Sequence, residues 1–134
     1  MAIEDFFDTN VLVYLTVGEP AKARRAREVL RSGGVISVQV LNEFVSVVRR
    51  KYSLSWDEIR ELLVGFRSRL RVEPLTAAIQ ERAVEIAEAY RLDIYDANIL
   101  AAAELAGCRT VYSEDMQHGQ RVGGLTIQNP FAEG

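Results

Sequence analysis

The chain is poor in the residues that anchor many small folds. Its 134 residues include one cysteine, one histidine and three prolines. A lone Cys108 excludes a disulfide framework and fits a reducing, cytoplasmic setting. A lone His118 excludes any zinc site that needs two imidazoles. No apolar run exceeds five residues (Val11 to Leu15; Ile99 to Ala103), so no membrane span is expected. The opening MAIEDFFD is acidic where a secretory signal is basic and then apolar. Gly-rich nucleotide loops, a Gly-x-Ser-x-Gly elbow, internal repeats and linkers are all missing. Lysine is scarce too: of 16 basic side chains only Lys22 and Lys51 are lysines, and the rest are arginines. Arginine suits bidentate contact with phosphate or carboxylate. Yet 19 acids leave a net charge of −3, which argues against a surface that binds nucleic acid everywhere. Basic patches would have to coexist with a concentrated acidic site.

What is present is the composition of an ordinary folded domain, 49% apolar and 26% charged. A single domain over residues 1–134 is expected, long enough to bury roughly two-thirds of its unfolded surface. Short apolar runs alternate with helical periodicity. Strands are expected at Ile3 to Phe7, Val35 to Ser37, Leu70 to Leu75, Arg109 to Ser113 and Leu125 to Gln128. Between them, helices are expected through Tyr14, from Pro20 to Leu30, and from Val38 to Arg50 with apolar residues at 40, 41, 44, 45 and 48. Ser55 with Glu58 forms a capping box for the next helix, and two more run from about Ala77 to Tyr90 and from about Tyr95 to Ala106. This alternation predicts a three-layer α/β fold with a mostly parallel sheet of four to five strands flanked by helices. In such sheets ligands sit outside the carboxyl ends of the strands, where the strand order reverses.

Four acids stand where a plain core would not have them. Asp8 follows the first strand and Asp115 the fourth, so both fall on one rim if those strands are central and parallel. Glu43 interrupts an otherwise apolar helical line, and Asp96 opens the last helix on the face of Ile99, Leu100 and Ala103. Singly each has an ordinary reading: Asp8 and Asp115 as turn or cap residues, Asp96 as a complement to the helix dipole, Glu43 as a solvated or arginine-paired side chain. Together they would repel unless a cation sits among them. A site of acids alone, without His or Cys, points to Mg²⁺ or Mn²⁺ rather than zinc. Such an ion can activate water and stabilise charge on a phosphodiester, alone or with a second ion.

Asp8-Thr9-Asn10 after a strand, Glu43 within Val38-Gln39-Val40-Leu41-Asn42-Glu43-Phe44, Asp96-Ala97 opening a helix, and Ser113-Glu114-Asp115 after a strand resemble the PIN domain. More narrowly they resemble the VapC type of toxin from bacterial type II toxin–antitoxin pairs, over nearly the whole chain. The resemblance implies a Mg²⁺-dependent endoribonuclease, homodimeric and inhibited by a cognate antitoxin, with transfer RNA as a reasonable substrate. It implies that Asp8, Glu43, Asp96 and Asp115 are the catalytic acids. Asp8, Asp96 and Asp115 would hold the metal, Glu43 a water on it or a second ion, and Asn10 and Ser113 would orient these groups by hydrogen bonds. Asn98 departs from the family, where an apolar residue is commoner, and is read as incidental. An antitoxin tail is expected to insert an Arg or Lys near Asp8 and Asp96.

The remaining residues take plainer readings. Asp93 is the cap of the last helix, His118 a loop hydrogen-bonding group, and Cys108 a small buried hydrophobe after the Gly107 turn. Arg24, Arg25, Arg27 and Arg31 make a solvated helix face, while Arg49, Arg50 and Lys51 close a helix, with RNA contact as the alternative for both groups. Trp56 is expected in the core or an interface. A haloacid-dehalogenase phosphatase would need an acid where Asn10 stands, and a receiver domain would need a late lysine. A DNA nuclease of the same acid arrangement and a silent scaffold kept for binding a partner are the remaining rivals.

Overall fold

Short β-rich segments separated by well-capped helices leave this chain few ways to pack, and a computed structural model describing residues 3–132 shows the outcome. The strands are β1 (Phe6–Phe7), β2 (Val35–Ser37), β3 (Arg71–Glu73), β4 (Thr110–Tyr112), β5 (Arg121–Val122) and β6 (Leu125–Gln128). The helices are α1 (Thr9–Val17), α2 (Pro20–Leu30), α3 (Val38–Tyr52), α4 (Trp56–Arg69), α5 (Ala77–Tyr90) and α6 (Ile94–Leu105). The six strands form one sheet in the order β3-β2-β1-β4-β6-β5. Every pairing is parallel except β5 with β6. From β1 the chain winds outward through β2 to β3, then returns to β4 on the other side of β1. The order therefore reverses between β1 and β4, which puts the crevice at their carboxyl ends.

Local chemistry starts and stops these elements. Asp8, Ser37, Ser55, Thr76 and Asp93 cap α1, α3, α4, α5 and α6 with side-chain oxygens, and Ser55 with Glu58 completes the expected capping box. Gly34 precedes β2 with φ of +146°, and a Cβ there would come within 2.4 Å of the Phe7 ring, so no other residue fits. The core is the two-sided burial of the sheet: Phe6, Phe7, Val35, Ile36, Val111 and Ile127 are all fully buried. Helix α6 is apolar almost all round, and Ala97 through Ala103 are buried, as a helix enclosed by other elements requires.

The structure corrects several expectations. The sheet has six strands rather than four to five, because Arg121–Val122 pairs back on β6 across a Gly123-Gly124 turn. Two residues carry no periodicity from which a strand can be read. The first strand is limited to Phe6–Phe7, since Ile3 is half exposed. The third stops at Glu73, just before Pro74. Trp56 is not in the core; it is exposed, with the Arg49 guanidinium 5.0 Å from its ring centre. Asn98 is buried, its Oδ1 has no hydrogen-bond partner among the described residues, and it does not line the cavity of the four acids. Cys108, His118 and Asp93 behave as expected: a buried thiol pushed up to about 11 by burial, an Nδ1 accepting from the Asn129 amide, and a helix cap.

Candidate active site

Asp8 leaves β1 and at once caps α1, its Oδ1 accepting from the Thr9 amide at 2.7 Å. Its Oδ2 accepts from the hydroxyl of Ser113, the residue that follows β4, at 2.6 Å. The carboxylate is 3% exposed. Burial drives its pKa up to about 6, against the hydrogen bonds from Ser113 and Thr9 and with help from the nearby Glu43 and Asp115 charges.

Asn10 ties the acids together. Its Nδ2 lies 3.3 Å from both Asp8 Oδ2 and Asp115 Oδ2 and 3.5 Å from Ser113 Oγ. Its Oδ1 accepts from the Glu114 amide at 3.1 Å. One side chain on α1 thus fixes the loop after β4, and with it Asp115. Ser113 is fully buried and also accepts from the Met116 amide, which closes that loop into a turn.

Glu43 comes from the second turn of α3. Its two oxygens accept from Thr9 Oγ1 at 3.1 Å and Gln39 Nε2 at 2.9 Å, so it points at the start of α1 rather than into solvent or at an arginine. Asp96 sits in the first turn of α6, where the Asp93 cap accepts its amide at 2.9 Å. Its pKa is pushed up to about 7, first by burial, then by the charges of Asp93, Asp8 and Glu43. Asp8, Glu43, Asp96 and Asp115 all line one cavity of about 240 Å³. All six sequence-predicted site residues therefore meet at the crevice, with Ser113 beneath the cavity floor.

As the side chains stand, no three His, Cys, Asp or Glu residues among the described residues are gathered closely enough to hold a metal ion together. Mg²⁺ and Mn²⁺ keep several waters and need only one or two direct carboxylates, so they do not require such a group. The donor set is oxygen only, with two members whose pKa values are raised first by burial and then by neighbouring carboxylates. Asp8, Asp96 and Asp115 are carboxylates that line this cavity and offer oxygen donors of that kind.

Sequence reading missed a second group beside the site. Lys22 Nζ pairs with Glu114 Oε2 at 2.7 Å and lies 4.3 Å over the Tyr14 ring, whose hydroxyl donates to Glu114 Oε1. The hydrogen bond to Glu114 raises both the Tyr14 and Lys22 pKa values; burial raises Glu114 itself, but its donors outweigh that and hold it low. Thr9, Tyr14, Lys51 and Tyr52 also line the acid cavity. Only the four-residue spacing of Glu43, Val47 and Lys51 could have signalled one of these. A larger concavity lies elsewhere, a groove of about 1000 Å³ between α2 and α4. Its floor includes Leu15, Leu62 and Phe66, and its rim Arg24, Arg27, Arg31 and Arg69.

Comparisons place this geometry. The family profile described as PIN domain matches residues 6–122. A toxin–antitoxin complex from Klebsiella pneumoniae superposes with a TM-score of 0.73 at 25% identity, covering 95% of this chain and 98% of that one. DNA-bound VapBC from Salmonella typhimurium gives 0.71 at 22% identity, covering 96% and 99%. Mycobacterium tuberculosis VapC20, described as a sarcin–ricin loop cleaving toxin, gives 0.69 at 20% identity, covering 83% and 89%. Among curated proteins no sequence matches significantly.

Proposed function

The chain belongs to the PIN domain family, and from that premise we propose that it is a divalent-metal-dependent endoribonuclease of the VapC toxin type, restrained by a cognate antitoxin. The observation that carries this reading is the convergence of Asp8, Glu43, Asp96 and Asp115 on one cavity at the point where the strand order reverses. The four come from the ends of β1 and β4 and from α3 and α6, so nothing local requires them to meet.

Asp8, Asp96 and Asp115 hold a Mg²⁺ or Mn²⁺ ion in this reading. When bound, the ion neutralises their repulsion, lowers the pKa of water and stabilises charge on the phosphodiester. The protein's own part is orientation. Ser113 and Asn10 fix the rotamers of Asp8 and Asp115, and the buried hydroxyl of Ser113 keeps Asp8 more acidic than its surroundings would. Thr9 and Gln39 hold Glu43 with lone pairs left to orient a water on the phosphate. The substrate is RNA, with transfer RNA one candidate, and the working unit is a homodimer.

The antitoxin reading is supported by structural neighbours that include a toxin–antitoxin complex. It is supported also by electrostatics: without metal, the acid cavity attracts a cationic side chain, and an Arg or Lys of the partner near Asp8 and Asp96 replaces the ion's charge. A longer amphipathic segment of that partner has room in the groove between α2 and α4, whose arginine rim suits carboxylates.

The test is cleavage of total RNA with Mg²⁺ or Mn²⁺, with EDTA, and by Asp8→Asn, beside calorimetric Mn²⁺ titration. Metal-dependent cutting lost in both controls is expected. Folded protein that binds no Mn²⁺ and cuts nothing sinks the reading in favour of a scaffold.

A further inference from the structure

We propose that Lys51 and Tyr52 form a strand-binding subsite at the mouth of the acid cavity, Lys51 taking a phosphate that flanks the scissile one and Tyr52 stacking on an unpaired base. The proposal rests on the ribonuclease reading and adds the residues that hold the substrate.

Helix α3 carries Glu43, Val47 and Lys51 at four-residue intervals, so the three share one stripe. Lys51 is eight residues past Glu43, about 12 Å along the helix axis. All three line the acid cavity, and Lys51 is the only cation among its lining residues. The stripe thus begins at an acid that faces the reacting centre and ends at a cation where the cavity opens. A phosphodiester chain running out of the cavity meets that cation one or two phosphates from the cut.

A helix C-terminus attracts cations for its own sake, and that accounts for Arg49. Its Nη1 donates to the Leu54 carbonyl at 3.0 Å while its guanidinium covers Trp56. Lys51 makes no salt bridge or hydrogen bond among the described residues and stands on the acid-facing side instead. Tyr52, beside it, is 44% exposed, and its ring stacks on no aromatic or cationic group among the described residues. An exposed ring next to a cation in a groove is how single-stranded nucleic acid is held, through a phosphate and a base face together. A duplex hides its base faces in the stack and cannot use Tyr52.

The test is fluorescence anisotropy of a labelled mixed-sequence oligoribonucleotide of about a dozen nucleotides, with Ca²⁺ replacing Mg²⁺ and several salt concentrations. Lys51→Met should weaken binding about ten-fold and reduce the slope of log affinity against log salt by about 0.7, the loss of one phosphate contact on a single strand. Tyr52→Ala should weaken binding about ten-fold with the slope unchanged, while Tyr52→Phe, which keeps the ring, binds as wild type. Annealing the oligonucleotide to its complement should remove the difference between Tyr52→Ala and wild type. Variants that bind like wild type at every salt overturn the subsite. So does a Tyr52→Ala protein whose only change is a smaller sedimentation coefficient, since the face then belongs to a second copy of the chain. Wild-type protein that binds RNA as described yet neither cuts it in Mg²⁺ nor binds Mn²⁺ sinks the nuclease reading alone.

Discussion

Ser113 Oγ donates to Asp8 Oδ2 at 2.6 Å, joining residues 105 positions apart at the adjoining ends of β4 and β1. Both side chains are buried, so this bond holds the Asp8 rotamer and favours its charged form. Removing the hydroxyl leaves a buried carboxylate oxygen with only a long contact to Asn10, and the Asp8 pKa rises further above 6.

Ser113→Ala should therefore weaken Mn²⁺ binding at neutral pH by about 10–100-fold, the usual cost of losing a group that orients a ligand. Calorimetric titration checks this. The loss should shrink at higher pH, where Asp8 is ionised in both proteins; a pH-independent loss would assign the hydroxyl to packing alone.

The raised pKa values of Asp8 and Asp96 predict an inverted stability profile for metal-free protein. Unfolded, both titrate near 3.8; folded, they titrate at about 6 and about 7. Between those limits the folded state binds more protons than the unfolded one, so stability falls as pH rises. Glu58 and Glu114 shift the other way, but their contribution changes only below their ordinary value of 4.5. Metal-free protein should melt higher at pH 5 than at pH 8. Saturating Mg²⁺ should raise the melting temperature more at pH 8, where no proton competes for the carboxylates. Equal Mg²⁺ stabilisation at both pH values would count against these acids as the binding site.

Much of this site was legible before any coordinates, and for a physical reason. Asp8 and Asp115 follow strands, Glu43 breaks an apolar helical line and Asp96 opens a helix on its apolar face, and all of these are local signals. Helix limits were legible where a cap announced them, as Ser55 with Glu58 and Asp93 did. Strand β5 was not, because its partner and its turn are all that define it. The Lys22–Glu114 and Tyr14–Glu114 contacts span 92 and 100 residues, and no spacing rule reaches that far.

Those contacts predict a kinetic effect larger than their effect on stability. Glu114 lies between Ser113 and Asp115, and Lys22 and Tyr14 hold it from α2 and α1. Glu114→Gln keeps the shape and removes the charge. Lys22 is partly exposed, so the stability cost should stay within about 1 kcal/mol. The loop bearing Asp115 loses one of its ties, and kcat for RNA cleavage should fall several-fold with KM unchanged. Steady-state kinetics beside a thermal melt separate the two; an unchanged kcat with a lower melting temperature would make the cluster purely structural.

Asn98 predicts a stabilising substitution. It lies in the buried run of α6, 9% exposed, and its Oδ1 has no hydrogen-bond partner among the described residues. An unsatisfied buried acceptor costs about 1–3 kcal/mol, and Asn is a poorer helix former than Leu. Asn98→Leu keeps the branching, with bulkier methyl groups, and removes the orphaned atom. It should raise the melting temperature by a few degrees, at about 2–8 °C per kcal/mol for domains of this size range. The side chain does not line the acid cavity, so Mn²⁺ affinity and RNA cleavage should be unchanged. A lower melting temperature would show that the substitution disturbs the close packing of α6 against α5 more than the lost acceptor relieves it, and Asn98→Ala would then separate the two. The smaller side chain removes the acceptor without adding bulk, so a gain with Ala and a loss with Leu would locate the problem in space rather than in hydrogen bonding.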